Sequence, residues 1–176
     1  MTVKTIKRFP LIFLSGLLLL STSCGGASDP STSYPAPDSE SLAPFGQWAE
    51  SAPLTFRLIK ITAVDSIPFD EVFEYATKGN HFVVARLQVM PGRKGKGTVD
   101  YAVQVRLLDA QGKAYIPDPY RFSVTNNAQS SVIMIKSGKF VEYNVAFLVP
   151  RSFKPVALRC EGTMGADPVF LALVRK

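Results

Sequence analysis

Two cysteines, one histidine and a scatter of carboxylates are what this 176-residue chain offers for chemistry. A Ser-His-Asp or Cys-His set would have to form around His81, with a nucleophile in reach and a third group to orient the ring. The chain has no Gly-x-Ser-x-Gly elbow. Cys160 falls in Val156-Ala157-Leu158-Arg159-Cys160, where positions 156, 158 and 160 share one face of a strand. His81 is therefore expected at a surface or strand-start position, and Cys160 as a buried core thiol. Zinc needs three or four nitrogen or sulfur ligands, which one histidine and one free cysteine do not supply. Asp65, Asp70, Glu71 and Glu74 form the densest acidic group. They lack the alternating ligands and central glycine of a calcium loop, and acids at a helix start are accounted for by the helix dipole. The expectation is no catalytic residue, no metal and no cofactor.

Two loops carry side chains suited to binding. Arg93, Lys94 and Lys96 alternate with Gly92, Gly95 and Gly97 between two strand-like runs. A phosphate-binding P-loop would need a fixed Gly-x4-Gly-Lys-Ser/Thr pattern and a following helix; here a strand follows. The loop reads as a solvated hairpin connection whose candidate contact is anionic envelope material such as lipid headgroups. Asp118-Pro119-Tyr120-Arg121-Phe122 gathers aromatic rings beside prolines. Tyr120 and Phe122 are candidate anchors for a protein or sugar partner.

The remaining cysteine, Cys24, concerns location. The chain opens with Lys4, Lys7 and Arg8 and no acid, followed by the nearly all-apolar run Leu11–Leu20. That run is about half the length needed to span the hydrocarbon core, and it has the layout of a secretory signal peptide. Ser21-Thr22-Ser23-Cys24 then resembles a bacterial lipobox, with Leu20 one place early. This implies a signal peptide over 1–23 and lipidation at Cys24, so that membrane contact runs through the lipid anchor. Gly25, standing where an aspartate would signal retention, assigns the outer membrane if the cell is Gram-negative. Acylation of Cys24 leaves Cys160 without a disulfide partner. Charge points the same way. The formal +6 invites a nucleic-acid reading. Removing residues 1–23 takes away three bases and no acid, leaving 17 positive against 14 negative side chains. No nucleic-acid partner is expected.

From Gly25 to Pro44 the chain is rich in Ser, Pro, Ala, Gly and acids, with Tyr34 and Leu42 the large apolar exceptions. Such a stretch buries too little to offset its ordering entropy. Residues 24–45 are expected as a lipidated cysteine and flexible tether, holding the domain about 25 Å from the membrane on a random-coil estimate.

Residues 46–176 are expected as one domain. Val99, Tyr101, Val103, Val105 and Leu107 alternate, as do Val141, Tyr143, Val145, Phe147 and Val149. Period two marks half-buried strands. Phe82–Met90, Ser131–Lys136, Pro155–Cys160 and Pro168–Val174 read as further strands. Leu54, Phe56 and Leu58 alternate before Ile59 and Ile61 take over, which predicts a bulge near 58–59. Asp109–Gly112 and Lys136–Lys139 read as hairpin turns. Pro68–Lys78 alone has helical spacing, with Phe69 and Phe73 four apart, and predicts one short helix. The fold class is all-β: an antiparallel sandwich of seven to eight strands.

The order of features from 54 to 174 resembles the immunoglobulin-like, telokin-like envelope lipoprotein domains of unknown function. These are related in fold to a secreted mycobacterial immunoprotective antigen. The residues that carry the resemblance are Gly79-Asn-His-Phe-Val-Val-Ala-Arg-Leu-Gln-Val89, Leu107-Leu-Asp-Ala-Gln-Gly-Lys-Ala-Tyr115, and Ser137-Gly-Lys139 followed by Val141–Pro150. The resemblance implies an immunoglobulin-like fold and an envelope location, and brings no catalytic residue with it. The expected function is a membrane-anchored, non-enzymatic binding or scaffold module with an envelope protein or glycan as partner. The alternative is an envelope carbohydrate-active enzyme or carbohydrate-binding protein.

Overall fold

The computed structural model describes residues 33–69, 71–92, 97–100, 104–118, 121, 126 and 132–174. Its strands are β1 Leu42–Ala43, β2 Ala49–Ser51, β3 Leu54–Val64, β4 Ser66–Phe69, β5 Val72–Tyr75, β6 Asn80–Pro91, β7 Gly97–Asp100, β8 Val105–Asp109, β9 Ala114–Tyr115, β10 Val132–Ile135, β11 Val141–Pro150, β12 Pro155–Cys160 and β13 Val169–Ala172. One sheet has the order β11-β6-β3-β2 and a second the order β1-β13-β12-β8-β9. Two small pairs, β10-β7 and β4-β5, complete the set.

Alternation in the sequence becomes a packed interior because each long strand turns one row of apolar side chains toward the other sheet. Phe56 and Leu58 of β3, Val83, Ala85, Leu87 and Val89 of β6, and Val145, Phe147 and Val149 of β11 form one side. Leu107, Leu158, Cys160 and Leu171 meet them from the second sheet, with Tyr115 and Phe153 closing one end. Each fully buried Leu or Phe stabilises by roughly 1.5–3 kcal/mol. The molecule is a β-sandwich. Between Leu58 and Lys60 the register of β3 against β6 shifts, where the change of apolar parity predicted a bulge.

Three expectations are corrected. The helix over 68–78 is a β-hairpin instead: Pro68 faces Phe73 and Phe69 faces Val72 across β4 and β5. Ile, Phe, Val and Tyr favour strands, and the spacing of Phe69 and Phe73 suits a tight hairpin as well as a helix. Helical backbone among the described residues occurs at Gln104 and Arg121. The run 99–107 is not one strand, because β7 and β8 belong to different sheets. Gln104 sits between them, buried, donating to the carbonyls of Glu161 and Gly162 at 2.9 and 2.8 Å. These bonds and the N–H of Glu161 on the Gln104 carbonyl fix a turn where hydrophobicity alone suggests continuity. Finally, the described residues form thirteen strands, from two to twelve residues long, where seven or eight were expected, and β1 runs parallel to β13 in an otherwise antiparallel array.

Each outer face of the sandwich has its own cover. On the four-stranded sheet, Phe82, Ala146 and Leu148 point outward and bury against Ile67 of the β4–β5 hairpin. On the five-stranded sheet, the cross-strand neighbours Ala172, Ala157, Leu108 and Ala114 are also buried. Part of the segment expected as tether lies against that face. Ser33 bridges to Lys113, and the Tyr34 N–H donates to the Gly112 carbonyl at 2.9 Å. The guanidinium of Arg159 lies 4.4 Å from the centre of the Tyr34 ring, and Leu42 and Ala43 add β1 to the far edge of the sheet. Gly112 has φ +79, and a Cβ there would come 1.9 Å from the Tyr34 carbonyl oxygen. The strap lies where it does because that side chain is missing.

Candidate functional site

The β4–β5 hairpin presents the clearest surface for recognition. Its inward side is anchored twice. Ile67 is buried in the outer cluster with Phe82 and Leu148. Glu74 accepts from Arg121, with Nε at 2.9 and 3.0 Å from its two carboxylate oxygens and Nη2 at 2.7 Å from Oε1. Such a fork-to-carboxylate pair fixes orientation as well as adding energy. Arg121 also donates to Asp118 Oδ2 at 3.3 Å and lies 5.7 Å from the centre of the Phe82 ring. The Glu74 hydrogen bond holds the Arg121 pKa above its ordinary value. The other side of the hairpin is open: Phe73 is 61% exposed and Tyr75 is 73% exposed, and Val72 at the tip is 62% exposed.

Polar chemistry gathers at one end of the sandwich, where β3, β8 and β11 finish and β6 and β12 begin. His81 lines a cleft of about 260 Å³ with Ala63, Val64, Asp65 and Arg151. Asp65 and Arg151 form an ion pair across it. Burial, followed by the nearby Arg151 charge, lowers the His81 pKa from its ordinary 6.5, against an opposing pull from Asp65. A neutral imidazole beside an ion pair can donate and accept hydrogen bonds. At the same end a second cleft of about 320 Å³ is lined by Asp109, Gln111, Lys113, Tyr115, Ser152 and Lys154, among others. The Asp109 carboxylate is turned back onto the backbone N–H groups of Gln111 and Lys113, both at 2.9 Å.

The acidic group seen in the sequence is dispersed. Asp65 pairs with Arg151, Glu74 pairs with Arg121, and Glu71 is exposed. Asp70 lies outside the described residues. Among the described residues no three His, Cys, Asp or Glu side chains come together as a metal site. Cys160 is fully buried, and burial pushes its thiol pKa well up. His81 is the second residue of β6, a strand-start position. Cys24 and the candidate contacts Arg93, Lys94, Lys96, Tyr120 and Phe122 lie outside the described residues. Sequence reasoning singled out the rings on either side of Arg121 and passed over Arg121 itself, as well as Phe73 and Tyr75. The missed signal is alternation: Phe73 and Tyr75 flank Glu74, the arrangement of a strand with one polar, partnered side.

No protein-family model and no curated protein matches the chain. Solved structures do. A "conserved hypothetical protein" from Bacillus anthracis shares 12% identity at TM-score 0.54, covering 72% of this chain and 94% of its own. A "putative lipoprotein" from Bacillus subtilis shares 15% identity at TM-score 0.50, covering 71% of this chain and 38% of its own. An "uncharacterized beta-sandwich protein" from Clostridium difficile shares 9% identity at TM-score 0.46, covering 78% of this chain and 99% of its own. At such identities the likeness is one of fold. Kinship with telokin-like domains or the mycobacterial antigen is no part of it.

Proposed function

We propose that this chain is a lipid-anchored bacterial envelope protein that works as a non-enzymatic binding module, with the outer side of the β4–β5 hairpin as its contact surface for an envelope protein. The observation that carries the reading is the contrast across one hairpin: Ile67 is buried and Glu74 is pinned, while Phe73 and Tyr75 face outward. A two-stranded hairpin is marginal in water by itself. Here the body holds it in shape, so the open aromatic side needs no ordering before it meets a partner. The anchor rests on the basic head, short apolar run and Cys24, and a β-sandwich likeness to a chain described as a lipoprotein accords with it. Two facing sheets over one core support the immunoglobulin-like reading of the fold.

The test uses the lipidated protein as bait in its own solubilised envelope. Phe73→Ala with Tyr75→Ala is expected to abolish capture of a specific partner protein while shifting unfolding free energy by no more than about 0.5 kcal/mol, as surface changes do. Undiminished capture by the double variant overturns the assignment of this surface. The glycan reading draws on the same rings, since exposed aromatics also stack on sugars. Competition by isolated envelope glycan, with no protein captured, would favour it. An enzymatic version needs two carboxylates facing each other about 5 Å apart or somewhat more. The described Asp65, Glu74, Glu142 and Glu161 are each engaged by an arginine.

A further inference from the structure

The strap changes how far the body can stand from its anchor. Because Ser33 is bridged to Lys113, Tyr34 is held on Gly112 and Leu42–Ala43 pair with β13, at most residues 25–32 separate Cys24 from the folded body. Nine residue steps span at most about 30 Å when fully extended, and far less as a coil. The strap also selects which end of the body is tied down. Lys113 follows the β8–β9 turn, beside the β11–β12 turn that carries Arg151, Ser152 and Lys154. The carbonyl of Gly79, next to Lys78, accepts from the Arg151 N–H at 2.9 Å. Four exposed bases, Lys78, Lys113, Arg151 and Lys154, thus sit at the anchored end. Among the described residues there, Asp65 is paired with Arg151 and Asp109 is turned onto backbone N–H groups. Gly92, which follows β6, lies at the opposite end, one twelve-residue strand or roughly 35–40 Å away.

We propose that this end of the sandwich is the membrane-facing surface of the protein, and that the cleft between Lys113 and Lys154 seats the phosphate of an anionic phospholipid headgroup. The inference rests on the lipid-anchor reading of Cys24. The cleft, about 320 Å³, offers two ammonium groups with the Gln111 and Ser152 side chains beside them, a donor set suited to phosphate oxygens. The anchor keeps the headgroups within reach at high local concentration. Each lysine near an anionic surface strengthens association about fivefold.

Single-cysteine labelling tests the orientation, since Cys160 is buried and its thiol pKa is raised. The lipidated chain bearing Thr77→Cys, at the same end but outside the cleft, or Ser137→Cys is labelled and reconstituted into phosphatidylcholine vesicles, with and without phosphatidylglycerol, that carry a headgroup quencher. The label at 77 is expected to be quenched more strongly than that at 137, with the difference widened by phosphatidylglycerol. Lys113→Glu with Lys154→Glu is expected to abolish the widening, and the Lys→Gln pair to reduce it, with melting temperatures unchanged. Equal quenching at both positions, or a difference indifferent to the charge changes, overturns the proposal. Mass spectrometry of the N-terminal peptide is run on the same preparation. With an acylated Cys24 such a result leaves the anchor reading standing, whereas an unmodified Cys24 overturns the anchor reading and the proposal together.

Discussion

The two outer faces of the sandwich are covered by opposite means. The five-stranded sheet offers small side chains, Ala114, Ala157 and Ala172 around Leu108. A strap can therefore lie close to it, with the backbone of Tyr34 against that of Gly112. The four-stranded sheet offers Phe82 and Leu148, too bulky for such an approach, and a folded hairpin covers them with its own Ile67. The rest of that face carries polar groups: Glu142 accepts from Gln88 at 2.7 Å and pairs with Arg86, and the Asn126 amide brackets the backbone of Asn144. A strap has no second side of consequence. A hairpin does, and on this one it is apolar and open. The size of the residues beneath each cover therefore decides which cover keeps an open apolar side.

The contrast can be broken at three places. Phe82→Ala should have the largest effect, about 3–5 kcal/mol by analogy with other buried Phe truncations, because the hairpin loses the surface it packs on. Urea unfolding measures it, and a loss below about 1 kcal/mol would mean that the hairpin is not held by this cluster. Gly112→Ala should cost about 1–2 kcal/mol for the left-handed backbone alone. It should also release the strap, so that limited proteolysis cuts within residues 33–43 while the sandwich persists. Resistance equal to wild type would show that the strap does not depend on that close approach. The smallest effect belongs to the polar half of the four-stranded face. The Gln88 hydrogen bond, then Arg86, lowers the Glu142 pKa from its ordinary 4.5. Its contribution is therefore present above pH 4.5 and lost as pH falls through the lower folded-state value. Glu142→Gln should melt slightly below wild type at neutral pH and converge with it in acid. Parallel curves at every pH would remove Glu142 from the account.

Much of the core was legible in the sequence because a long, half-buried strand writes its burial as alternation. β3, β6, β11 and β12 follow from spacing, the bulge at 58–59 follows from a change of parity, and Cys160 follows from its strand face. The covers were not legible. In the hairpin the same apolar residues satisfy period two and an i,i+4 pair, and what decides is Phe82 and Leu148, distant in sequence. The strap reads as linker because Tyr34, Leu42 and Ala43 are too few to announce burial; its hold comes from Arg159, Gly112 and the edge of β13. Arg121 and Glu74 are 47 positions apart, and no local pattern joins them. Pairs of this kind become visible only when the chain has closed on itself.

The strap also gives the molecule a mechanical character. Force applied at the N-terminus meets the Ser33–Lys113 bridge first, then the Tyr34 contacts, then the short pairing of β1 with β13. These yield one after another, before any load reaches the long ladders of β3, β6 and β11. Peeling Ser33–Ala43 from the sheet pays out roughly 35–40 Å of chain. A pull on Ser33 would thus lengthen the molecule by that amount while the sandwich stays folded.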